Sequence, residues 1–389
     1  MHMYIGIIAE WNPFHRGHLS LIRQVRERCG NAPVVSVMSG AFVQRGEPAL
    51  FDKWTRARWA VRGGADAVIE LPVRIVLQSA DRFADGAVCL LGSLGCTHIA
   101  FGTESAEASD LEEASAWTET EIFSHDFLEC LKSGLSYADS VTQAMKNHRP
   151  GLADALTEPN NMLGFQYVSA IRRRRLPLSV ITVRRDAAHP VSATAMREMI
   201  CSGRMPSSGW PGFSASEAVS LVQSGRYTDY RRYEDACLLT GRQKNAAELG
   251  GTGLFSEGLE NRWARCMEAP SYPEALSRIK SRRYLFSRLK RTGACLLLGI
   301  SGQAGQKGPV PCPGYARLLA LRRTSSPVLR ESRIPVIVRP ARARHVLDPE
   351  NLRSLLDDLR ASDMQSFCFH GGPFRRGGED YIHPPEIIE

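Results

Sequence analysis

The amino-acid sequence predicts an α/β protein: a parallel-sheet domain with a helical insertion, followed by a helical and α+β C-terminal domain. Three observations carry this. Over the first hundred residues, short apolar runs fit for buried strands alternate with helix-length segments. The alternation resumes near Asn160 and closes at a stretch rich in Ser, Gly and Pro, Ser202–Ser214. Beyond it the pattern is helical to about Gly299 and then turns to a smaller α/β segment. Strands alternating with helices at this spacing imply parallel pairing, with ligands at the carboxyl ends of the strands.

Each element has its own signal. "YIGIIAE" is an apolar run, and "HLSLIRQVRERCG" has helical spacing and stops at a glycine. "PVVSVMSG" repeats the strand, "DKWTRARWAVRGG" the helix and "DAVIELP" the strand again. "ADRFADGAVCLLGSLG" is helix-like and "THIAFGTE" is a further strand. Residues 105–158 read as a helical insertion with an acidic, solvated face. "NNMLGFQYVSAIRRRR" is a helix, "LSVITVRR" a strand, and "SATAMREMICSG" a helix with a Ser/Thr start. In the C-terminal part "IPVIVRP" is the clearest strand. The resulting division is 1–205, 206–370, and a loose Gly- and Pro-rich tail over 371–389.

Composition narrows the class. With 389 residues, 43% of them hydrophobic, the chain has enough apolar content for two or three domain cores. No apolar run approaches the roughly 18–20 residues that cross a bilayer, and the N-terminus lacks a signal-peptide layout, so a cytoplasmic protein without a membrane partner is expected. Ten cysteines without a CxxC pair suit a reducing compartment and argue against a disulfide framework or a zinc knuckle. The net charge of +8 is unevenly spread. Arg172–Arg175 is a run of four, "RIKSRRYLFSRLKR" (Arg278–Arg291) carries seven cations and no acid, and eight arginines from Arg317 to Arg344 face one acid, Glu331. A solvated surface is the plain explanation. Tyr284 and Phe286 interleaved among the cations favour a phosphate-rich polymer.

Two motifs carry chemistry. "HRGH", His15 to His18, stands between the first strand and the first helix. Gly17 admits close backbone approach, His18 opens a helix whose N-terminus attracts anions, and both imidazoles are placed to donate to phosphate oxygens. Metal binding by His15 and His18 is the alternative, but no third ligand has matching spacing, and no metal site is assigned. "VSATAMR" (Val191–Arg197) follows a strand and opens a helix, with Ser192 or Thr194 as its cap and Arg197 one turn in. There is no Gly-Lys dipeptide, hence no Walker A loop, and no KMSKS-like element. "QRGEPALFDKW" offers Arg45, Glu47, Asp52 and Lys53 either to a substrate or to a helix cap. Glu70 is either a ligand-edge carboxylate or a satisfied buried one.

At these motifs the chain resembles the bacterial tRNA(Met) cytidine acetate ligases of the HxGH nucleotidyltransferase superfamily. The resemblance covers about residues 1–340. It rests on "AEWNPFHRGH", "VMSGAFVQRGEPALFDKW", "GADAVIELP", "FGTES", "EPNNMLGFQYVSAI", "VSATAMR", "FSEGLENR" and "SRRYLFSRLKRTGACLLLGI". It implies a Rossmann-like, HUP-type catalytic domain that activates acetate with ATP and acetylates the wobble cytidine of elongator tRNA(Met). By motif, ATP would contact Ile7, Ile8, Ala9, Glu10, Trp11, Asn12, Pro13, Phe14, His15, Arg16, Gly17, His18, Leu19 and Ser20. It would also contact Gly102, Asn160 or Asn161, Arg185, Ser192 and Thr194. His15, His18 and Arg197 would act on the reacting phosphates. Where the family has Tyr-His-Asp after that arginine, this chain reads "AAHP", leaving His189 as the possible equivalent.

The chemistry is coherent on its own terms. Acetate is a poor acyl donor because its leaving group is oxide. Its attack on the α-phosphorus of ATP releases pyrophosphate and gives acetyl-adenylate, from which the cytidine amine displaces AMP. The protein's part is to position the reactants and neutralise charge. Free acetate serves as co-substrate, Mg²⁺ accompanies the phosphates, and neither acetyl-CoA nor an obligate protein partner is expected. Residues 206–370 would bind tRNA through Arg282, Arg283, Arg288 and Lys290 on one helix anchored by Ile279, Phe286 and Leu289. Two other readings compete: an adenylyltransferase of a small cofactor precursor, and a non-catalytic RNA-binding protein that senses ATP.

Overall fold

The computed structural model describes residues 3–185, 191–282, 284–302 and 309–389. The strands are β1 (Ile5–Ala9), β2 (Val34–Ser39), β3 (Phe42–Val43), β4 (Glu47–Pro48), β5 (Ala67–Leu71), β6 (His98–Thr103), β7 (Ser179–Arg184), β8 (Ala316–Arg322), β9 (Val336–Ile337) and β10 (Glu386–Ile388). The main sheet runs β10-β8-β5-β2-β1-β6-β7, with β9 beside β8, and β3–β4 is a separate hairpin. All neighbours in the main sheet pair in parallel except β5 and β8. From β1 the chain proceeds outward through β2 and β5 and then returns to β6 on the other side of β1. The strand order therefore reverses at the carboxyl ends of β1 and β6, where open α/β sheets bind ligands.

Successive residues of β1 serve opposite faces of the sheet. Ile7 packs with Phe14, Ile22 and Trp59 under the helices Arg16–Cys29 and Lys53–Arg62. Ile8 packs with Val37, Leu91 and Phe165 under Ala80–Ser93 and Pro159–Arg174. The expected insertion is four helices: Ala108–Trp117, Glu121–Lys132, Tyr137–Lys146 and Pro150–Ala155. A third apolar cluster, around Trp263, Tyr272 and Leu289, fills the C-terminal helices and takes in Phe42 and Val73 from the N-terminal part.

The C-terminal residues depart from expectation. "ARLLALR", made of helix-favouring Ala, Leu and Arg, is strand β8, whereas "IPVIVRP" contributes only the two residues of β9. Tertiary contacts override propensity here. Arg317 of β8 is fully buried, and its guanidinium donates to the Ile337 carbonyl at 3.3 Å. The sheet is thus mixed rather than parallel, and residues after 206 complete the first domain's sheet instead of standing apart. The tail is anchored too, because β10 pairs with β8 and His383 stacks on Trp54 at 4.5 Å. The Ser202–Ser214 stretch is shorter than a linker, since a helix starts at Gly212 and Arg16 donates to the carbonyls of Gly209 and Trp210 at 2.8 and 3.0 Å. Cys89 and Cys312 form a disulfide across 223 residues, a pairing that scattered spacing does not reveal.

Candidate active site

His15 is the N-cap of the first helix. Its Nδ1 accepts from the Gly17 amide at 3.0 Å, while its own amide donates to Nδ1 of His18 at 3.3 Å. The two histidines thus form a reciprocal capping box, the part usually taken by Ser and Glu. With both Nδ1 lone pairs engaged by backbone, each ring carries its proton on Nε2. The rings stack at 3.7 Å and 21°. Gly17 makes this possible, because a Cβ there would lie 2.8 Å from His15 Cε1. Its role here is therefore to admit the folded-back imidazole. Burial, then the charge of His15, then that of Arg185, hold the His18 pKa well below its ordinary 6.5. Two Nε2–H donors therefore sit at a helix N-terminus, at the carboxyl end of β1, and His18 is held neutral.

The second motif meets the first. Arg197 donates to the Asn12 carbonyl at 2.6 Å and to Thr194 Oγ1 at 3.2 Å. Ser192, not Thr194, caps its helix, accepting from the Ala195 amide at 3.1 Å. Asn12 in turn accepts from the Leu50 amide at 2.8 Å, and Trp11 donates to Ser36 Oγ at 3.1 Å. Of the residues expected around ATP, Ile7, Trp11 and Phe14 are almost wholly buried and form the scaffold under the loop. Residues 186–190, including His189, lie outside the described residues.

Across the cleft, the Asn160 and Asn161 amides each donate to Glu104 at 3.2 Å, and Arg185 reaches the same carboxylate at 3.4 Å. Asn161 is fully buried. Its Oδ1 accepts from the Glu104 amide at 2.9 Å, and its Nδ2 donates to Ser105 Oγ and the Ala155 carbonyl at 3.0 and 2.9 Å. Its side chain is thus committed to the fold, while the Asn160 side-chain amide also turns to Glu104. Gly102 keeps its place beside Arg185, whose Cγ would lie 3.5 Å from a Cβ there.

Arg56 was not visible as a site residue. It is fully buried in an ordinary-looking helix, and its guanidinium donates to the carbonyls of Phe51, Glu10, Ser39 and Gly40. It ties the carboxyl ends of β1 and β2 together, and burial pushes its pKa down to about 10. Burial also raises the Glu10 pKa against the lowering effects of the Gln44 amide, Arg197, Arg45 and Arg56. That Gln44 amide, in the β3–β4 hairpin, donates to Glu10 at 2.7 Å.

The choice posed by "QRGEPALFDKW" resolves toward structure for two residues. Asp52 caps a helix through the Thr55 amide at 2.8 Å. Lys53 is buried, with Nζ 2.8 and 2.9 Å from the Glu70 oxygens and 2.9 Å from Asp380. Glu70 is therefore a satisfied buried carboxylate.

The cationic segment is not one helix. A helix ends at Ile279 and another begins at Phe286. Ile279 and Leu289 are buried, but Phe286 is 41% exposed and does not anchor. Lys290 pairs with Glu47 at 3.2 Å. Arg288 donates to Ser256 Oγ at 2.9 Å, Arg282 is exposed, and Arg283 lies outside the described residues. The run at 172–175 is largely neutralised, with Arg172 on Glu119 at 2.8 Å and both Arg173 and Arg174 on buried Asp85 at 3.0 and 2.5 Å. Among the described residues no helix is long and apolar enough to cross a membrane.

The family model of the HIGH Nucleotidyl Transferases matches residues 1–378. A tRNA(Met) cytidine acetate ligase of Geobacillus sp. is 32% identical over 88% of this chain and 90% of its own length. A ligase of the same name from Acetivibrio thermocellus is 29% identical over 97% and 98%. Among solved structures, Thermotoga maritima TmcAL bound with alpha-thio ATP superposes with a TM-score of 0.91 at 28% identity, covering 99% of both chains. The apo form of that protein gives 0.90 at 27% identity, again over 99% of each.

Proposed function

The chain belongs to the tRNA(Met) cytidine acetate ligases among the HIGH nucleotidyl transferases, and we propose from its site how it performs that reaction. It is an ATP-dependent ligase acting on the wobble cytidine of elongator tRNA(Met). One observation carries the mechanism. The stacked pair His15–His18 presents two Nε2–H donors at a helix N-terminus where the strand order reverses, with Arg197 clasped to the same loop.

The triphosphate lies over this loop. The acetate carboxylate attacks the α-phosphorus, the bond to the pyrophosphate oxygen breaks, and acetyl-adenylate forms. His15 and His18 donate to phosphate oxygens as charge develops there, while Arg197 and the helix Ala193–Cys201 balance the departing pyrophosphate. A neutral His18 suits this role, because its Nε2–H still donates while its Nδ1 keeps the backbone cap. The cytidine N4 then attacks the acetyl carbonyl, AMP leaves, and the amine proton passes to solvent or to the leaving phosphate. Mg²⁺ would arrive on the triphosphate with most of its waters, held mainly by the phosphates.

Mass analysis of tRNA after incubation with ATP and labelled acetate tests this reading. One acetyl group at the wobble cytidine is expected, together with pyrophosphate release that requires acetate. Acetylation driven by acetyl-CoA without ATP would overturn the mechanism.

A further inference from the structure

A groove of about 640 Å³ separates the helical insertion from the arginine-rich segment. Lys132, Leu135 and Tyr137 line the insertion side, and Arg282, Leu285, Arg288 and Arg291 line the other. Among the described residues no acidic side chain lines it. Among the described residues, no carboxylate pairs with Arg282, Arg288 or Arg291. Arg288 instead lies 5.2 Å over the Tyr284 ring, and Lys132 pairs only with the exposed Glu129 at 2.7 Å. Asp81 is the acid whose charge reaches both walls, acting on Tyr137 and on Arg291. Beside the cations stand uncovered apolar surfaces: Leu135 is 40% exposed, Tyr137 45% and Leu285 42%.

Cations next to exposed ring and aliphatic faces are what a single-stranded nucleic acid requires, phosphates meeting the former and unstacked bases the latter. The groove also adjoins the catalytic loop through a short chain of contacts. Gly46, in the turn of the β3–β4 hairpin, has φ +77°, and a Cβ there would lie 2.4 Å from the Arg291 amide nitrogen. Two residues earlier the same hairpin holds Glu10 through the Gln44 amide.

We propose that this groove seats the single-stranded loop of the tRNA substrate, with the insertion as one of its two walls. The proposal rests on the ligase reading above. Phosphates meet Arg282, Arg288, Arg291 and Lys132, and a splayed base stacks on Tyr137. The insertion, whose acidic composition suggested only a solvated face, thereby becomes part of substrate recognition.

The test uses the full chain with Tyr137→Ala, Tyr137→Phe and Lys132→Ala. Affinity for tRNA and acetylation kinetics are read alongside acetyl-adenylate formation without tRNA, which reports on folding and the catalytic loop. Tyr137→Ala should weaken tRNA binding roughly 10–100-fold, the usual loss of one stacked base, and raise KM for tRNA more than it lowers kcat. Tyr137→Phe should retain affinity. Lys132→Ala should weaken binding and flatten its salt dependence. Unchanged tRNA affinity in Tyr137→Ala and Lys132→Ala, with wild-type acetylation intact, would overturn the groove alone and leave its cations to an acidic protein surface. Wild-type protein that forms acetyl-adenylate but never modifies tRNA would overturn the ligase reading and the groove with it.

Discussion

Arg197 donates to the main-chain carbonyl of Asn12 at 2.6 Å, joining two motifs 185 residues apart in the chain. The contact places a guanidinium beside the histidine loop and holds the loop's backbone at the same time. Arg197→Ala should therefore lower acetyl-adenylate formation by roughly 10²–10³, the usual loss for a transition-state donor. Arg197→Lys should restore little, because a lysine cannot span Asn12 and a phosphate together. ATP–pyrophosphate exchange with acetate measures both, and near-normal exchange in the alanine variant would contradict the role.

His18 is held neutral by burial, by His15 and by Arg185. Its ring resonances should titrate well below 6.5, and Arg185→Ala should move that titration upward. The sign for stability follows: below about pH 6.5 the unfolded chain takes up a proton that folded His18 refuses, so stability falls with pH until the folded value is reached. His18→Gln should remove that share of the acid dependence. It should also lower acetyl-adenylate formation, by up to roughly 10²–10³. A ring that titrates at its ordinary value would contradict the buried, stacked geometry.

Asp380 brings a carboxylate from the tail to within 2.9 Å of Lys53 and 3.6 Å of Arg317, all three buried. The Lys53 contact is an ion pair off the hydrogen-bond line, since neither Asp380 oxygen has a hydrogen-bond partner. Burial opposes the lysine's charge, and Asp380 and Glu70 together more than offset it. Asp380→Ala removes the carboxylate shared by two buried cations and should cost about 3–5 kcal/mol in denaturant unfolding. A loss below about 1 kcal/mol, which is typical of an exposed pair, would show the tail to be dispensable.

The arginines differ in availability. Arg173 is committed to Asp85 at 3.0 Å, whereas Arg282 is exposed with no ion pair among the described residues. Arg282→Ala should reduce the log–log salt slope of tRNA binding by roughly 0.7–0.9, one lost phosphate contact, and Arg173→Ala should leave it unchanged. Equal effects would mean that charge, not placement, governs binding.

Much of this molecule was legible before folding was considered. The strand and helix runs through Cys201, the histidine loop and a Ser/Thr cap before Arg197 all depend on residues within a few positions of one another, and local sequence records such interactions. β8 was missed because "ARLLALR" has the composition of a helix and becomes a strand only through pairing with β5. Arg56 was missed because nothing in an amphipathic helix marks an arginine whose partners are four carbonyls from three separate segments.

The sequence by itself determined the α/β order, the histidine and Ser/Thr–Arg motifs and the basic C-terminal half, since each is written as a short pattern or a local excess of charge. Tertiary structure alone decided that Arg197 meets Asn12, that the tail carries Asp380 to Lys53, and that Arg173 and Arg174 are neutralised while Arg282 is not. Those outcomes rest on contacts between distant residues, which satisfy buried charge and backbone polarity only once the chain has closed.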